Sequence, residues 1–279
     1  MLAVGLVLGL ATCGPRPDSD DSRLDSIDSL VDSIGSSDGC WTALDFNAQT
    51  LCVGNDREIR CSDGTDDLVF PGSDIWNSGQ GAVCWRTTDL QWACEGYHME
   101  DQPLGLAYAE PGSLAACGLV DGRARCWGMD EFSETSAPDA IEISDLSMGV
   151  GCGAAVSSDG TIHVWGEYCP AAPAGTYSSV EVGYRTVCGT SSAGSTCTSV
   201  GEAGFTLSPV DGDPIAVGAG WACALADSGS VTCSEGAPTI GNGPWSGLAC
   251  GIEECCTIDP MGRLSCFGQG PDRPSLGCE

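Results

Sequence analysis

Lysine is absent from this 279-residue sequence, so its ten positive charges are all arginines. Against them stand 39 acidic residues, which give a formal net charge of −29. Nucleic-acid binding depends on basic contacts with phosphates, and so acidic a surface repels them. The composition therefore excludes nucleic-acid partners and favours high solubility, a salty habitat or a basic partner.

Histidine is nearly absent, with His98 and His163 as its only copies. A Ser-His-Asp site would need one of them, but His163 lies in an alternating strand, where a core position is expected, and His98 lies in a connection. His-Glu-x-x-His and phosphate-loop motifs are missing as well. The segment Asp63-Gly-Thr-Asp-Asp67 lacks the spacing of a calcium loop and is interpreted as a turn. The sequence therefore predicts no catalytic residue, no cofactor and no metal site.

Long apolar runs are missing too. The first twelve residues are apolar and uncharged, which is short of the roughly 20 residues that span a bilayer. They resemble the core of a signal peptide. Leu10-Ala-Thr-Cys13 resembles the bacterial lipoprotein signal, although Thr12 departs from the Gly or Ala preferred there. We expect residues 1–13 to be a signal segment with Cys13 as its lipidation site, and an ordinary signal peptide is the alternative.

Aromatic residues are absent from residues 14–39, where Asp and Ser dominate. A segment of this composition cannot bury enough apolar surface to fold. We therefore expect an acidic, disordered linker here, followed by one folded domain over residues 40–279.

Cysteine, by contrast, is abundant, with 19 copies. Twelve of them form pairs nine or ten residues apart: Cys52 with Cys61, Cys84 with Cys94, Cys117 with Cys126, Cys188 with Cys197, Cys223 with Cys233, and Cys256 with Cys266. In two of these pairs a central Asp-Gly or Ser-Gly predicts a tight β-hairpin. The hairpin spacing places the two cysteines of a pair opposite each other, about 4.5–5.5 Å apart at Cα. A disulfide fits this distance and would add about 2.5–3 kcal/mol in the chain-entropy model. Zinc would instead need Cys-x-x-Cys or Cys/His clusters.

The hairpins belong to an internal repeat with seven copies. One copy has lost both cysteines, as a bonded pair predicts, and carries Ala154 and Val164 instead. Successive copies start 32 to 37 residues apart. Five residues before each first hairpin position stand Asn47, Gly79, Gly112, Gly149, Gly183, Gly218 and Gly251. Six glycines at one offset indicate a backbone position that needs positive φ or a close approach.

Short alternating strands, rather than long amphipathic helices, fill each repeat, so we expect seven small antiparallel sheets arranged radially. Ile215-Ala-Val-Gly-Ala-Gly-Trp-Ala-Cys-Ala-Leu225 and Cys117-Gly-Leu-Val-Asp-Gly-Arg-Ala-Arg-Cys-Trp-Gly128 resemble the repeat of the regulator of chromosome condensation family, over about residues 44–268. The resemblance implies an all-β, seven-bladed β-propeller, a fold shared with the secreted bacterial β-lactamase inhibitor protein II. The glycine-rich segment that usually follows Trp-Gly is mostly missing, so we expect small blades, some with only three strands.

Six further cysteines remain besides Cys13. They are expected to pair as Cys40 with Cys278, Cys152 with Cys169, and Cys250 with Cys255. A propeller must fasten its first blade to its last. We expect residues 42–47 and the final repeat to complete one sheet together, with the Cys40–Cys278 disulfide closing the ring.

Aromatic residues near the repeated glycine give the best indication of function. In propellers these segments approach a rim, where Trp and Tyr anchor protein partners, and core packing is the alternative. The candidate binding residues are Trp76, Tyr184, Trp221, Trp245, Glu253 and Glu254.

From these features we predict a monomeric, non-enzymatic binding module. We expect it to be secreted or held at the bacterial outer cell envelope by its lipid alone, with one propeller face presented to an extracellular or cell-envelope protein. One alternative is an inhibitor of a secreted enzyme. The other is an enzyme that acts on extracellular polysaccharide through a carboxylate pair, which would be favoured by paired carboxylates of raised pKa in a central pocket.

Overall fold

The computed structural model describes residues 41–47, 49–73, 76–79, 82–96, 99, 101–201, 204–207, 215–271 and 276. Within these residues the protein is all-β, with seven antiparallel sheets and no α-helix. Among the same residues, no helix has the length and hydrophobicity that a membrane crossing requires. The predicted signal segment with Cys13, the linker, Cys40, Cys278 and His98 all lie outside the described residues.

Each sheet is built from strands that are consecutive in sequence. Blade 1 contains β1 (Ala43–Asn47), β2 (Thr50–Gly54), β3 (Glu58–Ser62) and β4 (Asp67–Pro71). Blade 2 contains β5 (Trp76–Gly79), β6 (Ala82–Arg86) and β7 (Trp92–Gly96), and blade 3 contains β8 (Tyr108–Pro111), β9 (Ala115–Val120) and β10 (Arg123–Gly128). Blade 4 contains β11 (Ile143–Met148), β12 (Gly153–Ser157) and β13 (Ile162–Trp165).

Blade 5 contains β14 (Ser179–Gly183), β15 (Thr186–Ser191), β16 (Gly194–Ser199) and β17 (Phe205–Leu207). Blade 6 contains β18 (Ile215–Val217), β19 (Ala222–Leu225) and β20 (Val231–Cys233), and blade 7 contains β21 (Gly247–Cys250), β22 (Glu254–Ile258) and β23 (Leu264–Gly268). The described residues therefore give five blades of three strands and two of four, and the expectation of small blades is confirmed.

The first strand of each blade is the innermost, and it contacts the first strand of the next blade all the way round, with β21 returning to β1. Seven hydrophobic clusters fill the seven spaces between neighbouring blades. The protein is therefore a closed seven-bladed β-propeller, whose cores lie between sheets because each sheet alone is too small to bury both of its faces.

Each predicted hairpin places its two marker positions directly opposite each other. In the first hairpin Cys52 pairs in register with Cys61, with their Cα atoms 4.0 Å apart and a disulfide between them. The other five predicted hairpin disulfides are confirmed as well: Cys84 with Cys94, Cys117 with Cys126, Cys188 with Cys197, Cys223 with Cys233, and Cys256 with Cys266. In the copy without cysteines, Ala154 lies opposite Val164. The predicted bonds of Cys152 with Cys169 and of Cys250 with Cys255 are also formed.

Ring closure differs from the expectation. Residues 42–47 do not complete the last sheet, because β1 pairs with β2 of its own blade. The reason is that every repeat carries its innermost strand ahead of its hairpin, so the final blade already has one in β21. The seam is held instead by packing of Phe46 and Leu51 against Ile258 and Leu276, and by a hydrogen bond from the Trp41 N–H to the Gly262 carbonyl at 3.3 Å. The Cys40–Cys278 bond stays a prediction.

The repeated glycines begin the turns between the first two strands of each blade. None of the six has positive φ, and four of them, Gly79, Gly112, Gly149 and Gly183, approach the next blade closely. A Cβ on Gly112 would lie 2.8 Å from the Gly149 carbonyl oxygen, one on Gly149 would lie 2.9 Å from the Gly183 oxygen, and one on Gly183 would lie 2.7 Å from the Gly218 oxygen. The glycines therefore let the backbones of neighbouring blades touch around the axis.

We predict that Gly183→Ala destabilises the propeller by about 1–3 kcal/mol, because the methyl group would press on backbone that cannot easily move. The measurement is the midpoint of urea unfolding with disulfides intact. Gly236→Ala is the comparison, because nothing lies within 4 Å of its Cβ position and its φ is +90°. Any loss there comes from backbone strain alone, a cost that Gly183 does not carry because its φ is not positive. An unchanged midpoint for Gly183→Ala would contradict the close-approach explanation.

Candidate functional site

The propeller has two different ends. At the turn end lie the connections between the first and second strands of each blade, such as Gly149–Cys152, which is closed by a 2.8 Å hydrogen bond from the Gly149 N–H to the Cys152 carbonyl. The segments that follow each third strand emerge at the same end. At the hairpin end lie the hairpins between second and third strands.

The six sequence-predicted binding residues do not form one site. Trp76 is buried in the core between blades 1 and 2, and Trp245 lies half-buried at the hairpin end. The Trp245 indole N–H donates to the Gly241 carbonyl at 3.0 Å, and its backbone N–H donates to the Gly229 carbonyl at 2.9 Å. Trp76 is therefore a core residue, which was the alternative to a binding role. Trp245 packs against the hairpin of blade 6.

Tyr184, Trp221, Glu253 and Glu254 all lie at the turn end. Tyr184 is half-buried and Glu253 is exposed, whereas the Trp221 side chain and Glu254 are buried. The turn end is therefore the part of the surface where most of the predicted residues are brought together.

A cluster of aromatic rings surrounds Arg185 at the turn end. The Arg185 guanidinium carbon lies 5.1 Å from the centre of the Tyr168 ring and 5.5 Å from that of Tyr184. Phe132 extends the cluster, with its ring centre 4.7 Å from that of Tyr168. Val200, which is 43% exposed, donates its backbone N–H to the Arg185 carbonyl at 3.0 Å. We call these five residues the Arg185 patch.

Local geometry explains why Arg185 stands out from the surface. Its φ is +56°, in the left-handed region that few residues other than glycine adopt. The turn that contains it continues into Thr186, whose hydroxyl accepts a hydrogen bond from the Gly220 N–H of the next blade at 2.8 Å. Tyr168 is held by its N–H donating to the Gly151 carbonyl at 3.1 Å, next to the Cys152–Cys169 disulfide.

A cleft between blades 6 and 7 continues the same surface. Its volume is about 650 Å³, and its lining includes Gly220, Trp221, Pro238, Ile252 and the two acids Glu235 and Glu253. Among the described residues no basic side chain lines it. Because Gly220 is bonded to the turn that carries Arg185, the cleft and the Arg185 patch are adjacent.

The second cavity, of about 280 Å³, is the central channel. One position recurs in each inner strand around it, namely the residue opposite the first hairpin position. These residues are Asp45, Asn77, Glu110, Ser147, Glu181, Ala216 and Ala249. All of them except Ser147 line the cavity. Three acids, an amide and a hydroxyl make one side of this ring polar, and the two alanines leave space on the other side.

Several of these side chains bind the inner strand of the following blade. The Asp45 carboxylate accepts hydrogen bonds from the N–H and the hydroxyl of Ser78, at 2.6 and 3.0 Å. Asn77 donates to the Ala109 carbonyl at 2.6 Å, and the Ser147 hydroxyl accepts from the Val182 N–H at 3.0 Å. These bonds satisfy backbone groups on strand edges that face the channel and pair with no other strand among the described residues.

Tyr108 lines the channel and donates its hydroxyl to Glu110. Asp145 lies nearby, and its carboxylate accepts from the Val180 N–H at 2.8 Å. Asn47, the exception among the repeated glycines, crosses the channel to donate to the Met148 carbonyl of blade 4 at 3.1 Å.

Burial raises the pKa of all four acids, Asp45, Glu110, Asp145 and Glu181. The pKa values of Glu110 and Glu181 are raised further, because neighbouring acids such as Asp45 repel their charged forms.

The other residues considered from sequence carry no site. Asp63 closes a turn by accepting from the Thr65 and Asp66 N–H groups, as predicted. His163 is half-buried on β13 and lines neither cavity. The sulfurs of Cys223, Cys250 and Cys255 lie within 4.8 Å of one another, but all three are in disulfides and so are not the thiolates that a metal needs.

Comparison with known proteins establishes the fold. No family model and no curated protein matches the sequence. The ectodomain of the Arabidopsis thaliana receptor kinase ACR4 is similar with a TM-score of 0.59 and 19% identity over 82% of this chain and 95% of that one. The ectodomain of the Physcomitrella patens receptor kinase CR4 has a TM-score of 0.58 and 20% identity, over 82% and 73%.

A chain in the crystal structure of Kap60 bound to yeast RCC1 (Prp20) has a TM-score of 0.55 and 9% identity, over 91% of this chain and 86% of that one. The neighbours thus include propellers of the type that the sequence resemblance implies. At these identities the similarity shows the shared fold alone.

The channel carboxyls make stability depend on pH. Their pKa values are higher in the folded than in the unfolded chain, so the folded state binds protons more tightly, and stability falls as pH rises from the unfolded values, near 4, through the raised ones. We predict that the urea midpoint, measured with a chelator present, increases from pH 8 to pH 5. Glu181→Gln should flatten this dependence and stabilise the protein by about 1 kcal/mol at pH 7.5.

Glu235→Gln removes an exposed acid from the turn end and is the matched control, because it also removes one negative charge. A pH profile that both variants alter to the same degree would mean that overall charge repulsion, rather than the channel, causes the dependence.

Proposed function

We propose that the chain is a secreted, non-enzymatic binding module that presents the turn end of its propeller to a protein partner. The Arg185 patch is the observation that carries this proposal. Tyr and Arg are the residue types that most often dominate binding energy in protein interfaces. Here an Arg lies against two Tyr rings, with a Phe and a partly exposed Val beside them.

The patch is pre-organised, which lowers the entropy lost on binding. Arg side chains give up much rotamer freedom when an interface immobilises them. Contacts with Tyr168 and Tyr184 already restrict the Arg185 side chain in the free protein. A partner that stacks on this group or accepts its hydrogen bonds therefore gains affinity without ordering it first.

The cleft beside the patch suits a basic side chain of the partner. Glu235 and Glu253 supply negative charge, and Trp221, Pro238 and Ile252 supply apolar surface for the aliphatic stem of a Lys or Arg. The net charge of −29 adds long-range attraction for a basic partner. Inhibition of a secreted enzyme, by analogy with the β-lactamase inhibitor of the same fold, is one form such binding can take.

The disulfides support the extracellular location. Eight of them join described residues, and disulfides of this number persist in oxidising compartments such as the periplasm or the cell exterior. Two of the fold's neighbours are receptor-kinase ectodomains. We further propose that residues 1–13 and 14–39 act as a bacterial lipoprotein signal and a flexible linker to a monomeric domain over residues 40–279.

To test the binding proposal, the domain of residues 40–279 would be immobilised and its partner captured from the native cell envelope and identified. We predict that Arg185→Ala and Tyr168→Ala each weaken the affinity for this partner by about tenfold or more. The first variant removes the guanidinium that contacts the partner, and the second removes a ring that holds this guanidinium in place. Affinity would be measured by surface plasmon resonance.

Arg123→Ala is the matched control, since Arg123 is an exposed arginine next to the hairpin turn of blade 3, at the opposite end. Loss of binding in the control, with retention in the Arg185 variant, would place the interface on the hairpin end and contradict the proposal.

The lipid anchor has its own test. We predict that Cys13→Ala moves the protein from the membrane fraction to the soluble fraction, because the acyl chains attach to this thiol. Fractionation followed by mass spectrometry of the mature N-terminus would measure this. A wild-type protein that is already soluble and unacylated would leave the ordinary signal peptide as the explanation.

An enzyme that acts on extracellular polysaccharide is the second candidate function. It requires a central pocket with carboxyls of raised pKa, and Glu110 and Glu181 in the channel favour it for this reason. Two observations place it second. Asp45 and Asp145 are occupied by backbone N–H groups, and about 280 Å³ is less than the roughly 300–1,000 Å³ of typical ligand pockets. Release of reducing ends from an extracellular polysaccharide, abolished by Glu110→Gln, would reverse this order.

A further inference from the structure

Among the described residues, Glu181 is the one channel acid whose carboxylate has no hydrogen bond from the protein. Asp45 and Asp145 bind backbone N–H groups, and Glu110 accepts from Tyr108. Glu181 comes from β14 of blade 5 and lines the cavity. The residue is half-buried, and the accessible part of its side chain faces the cavity. An enclosed carboxylate without a donor is costly unless a ligand or water supplies one.

The part of the channel that the structure describes has no positive charge to offset its acids. Among the described residues, the cavity lining contains Asp45, Glu110 and Glu181 but no arginine. Asp145 is near enough to repel both glutamates. Three carboxyls from three different blades therefore face a cavity of about 280 Å³, with Asp145 of a fourth blade nearby. The cavity is large enough for an ion with several of its waters.

The chemistry of these groups selects the ligand class. The polar lining side chains offer carboxylate, amide and hydroxyl oxygens, and no imidazole or thiolate lines the described part of the channel. Hard divalent cations prefer oxygen sets of this kind, and calcium tolerates irregular, partly hydrated coordination better than magnesium does. We propose that the central channel binds one divalent metal ion of the calcium class, with Glu181 and Glu110 as its protein ligands.

The spacing of the acids limits how the ion is held. Among the described residues no three carboxylate oxygens in the channel converge within 4.8 Å. The ion therefore takes two glutamates and completes its shell with water. Glutamate suits this arrangement because its extra methylene group lets the carboxylate reach toward the axis. Asp45 and Asp145 stay bonded to backbone and contribute charge at longer range.

The proposal is tested by calcium binding to the full chain at pH 7.5 after treatment with a chelator. We expect isothermal titration calorimetry with CaCl₂ to give one site per chain. At ten times the dissociation constant the melting temperature should rise by about 3–5 °C. Terbium adds a readout that locates the site, because Trp76 and Tyr108 line the same cavity and should sensitise the luminescence of an ion bound there, with calcium displacing it.

Matched variants decide between the channel and the rest of the acidic surface. Glu181→Gln should weaken calcium binding by about tenfold or more and abolish the terbium signal. Glu142→Gln removes an exposed glutamate that lines neither cavity and should change neither readout. Because Glu181→Gln is expected to be at least as stable as the wild type, loss of binding would not reflect unfolding, which circular dichroism would verify.

Three results would overturn the proposal. One is the absence of calcium binding to the wild type. Another is equal binding by the Glu181 and Glu142 variants, which would place the ion elsewhere. The third is an equal rise in melting temperature from NaCl at matched ionic strength, which would show that salt screens the net charge and that no ion is bound in the channel.

Discussion

The seven inner strands meet around one axis, and each of them is hydrogen-bonded to its own blade along one edge only. The other edge faces the channel, where its N–H and C=O groups have no strand to pair with among the described residues. Four glycines at the starts of the turns, Gly79, Gly112, Gly149 and Gly183, bring neighbouring backbones into contact there. Below the turns, side chains such as Asp45, Asn77 and Asp145 reach across to the backbone of the next blade.

The acidic side chains of the channel are a consequence of these unpaired backbone groups on the inner strand edges. Carboxylates are good acceptors for orphan N–H groups, but gathering them around an axis concentrates negative charge in a small volume. Burial raises the pKa values of Asp45, Glu110, Asp145 and Glu181, and repulsion by the other acids raises those of Glu110 and Glu181 further. A propeller that satisfies its inner edges with acids thus produces a site that attracts protons and cations.

Features that lie within one repeat could be predicted from the sequence, because they depend on local spacing. The spacing of the cysteine pairs predicted the hairpin register. Asp121-Gly122, at the centre of the Cys117–Cys126 hairpin, has the two positive φ values, +50° and +71°, of a tight two-residue hairpin turn. The residues around the channel could also be predicted from the sequence. They stand seven residues before the first hairpin position of each repeat, so their offset identifies Asp45, Glu110 and Glu181 just as a five-residue offset identifies the repeated glycines.

The Arg185 patch could not be found in this way. Phe132, Tyr168 and Arg185 come from three connections of unequal length, so no offset aligns them, and only the folded ring brings them together. The prediction for the seam was wrong for a related reason. Which blade takes residues 42–47 depends on the order of strands around the whole ring, and the sequence of one repeat does not contain that information.

All eight described disulfides join residues within a single blade, and none of these crosses from one repeat to the next. Each repeat therefore carries its own covalent bond as a self-contained module. Gene duplication or deletion of one such unit leaves no cysteine without its partner, and oxidative folding can finish in each unit without waiting for the others. Because each disulfide lies within one blade, the number of blades can change during evolution without leaving thiols that would pair wrongly.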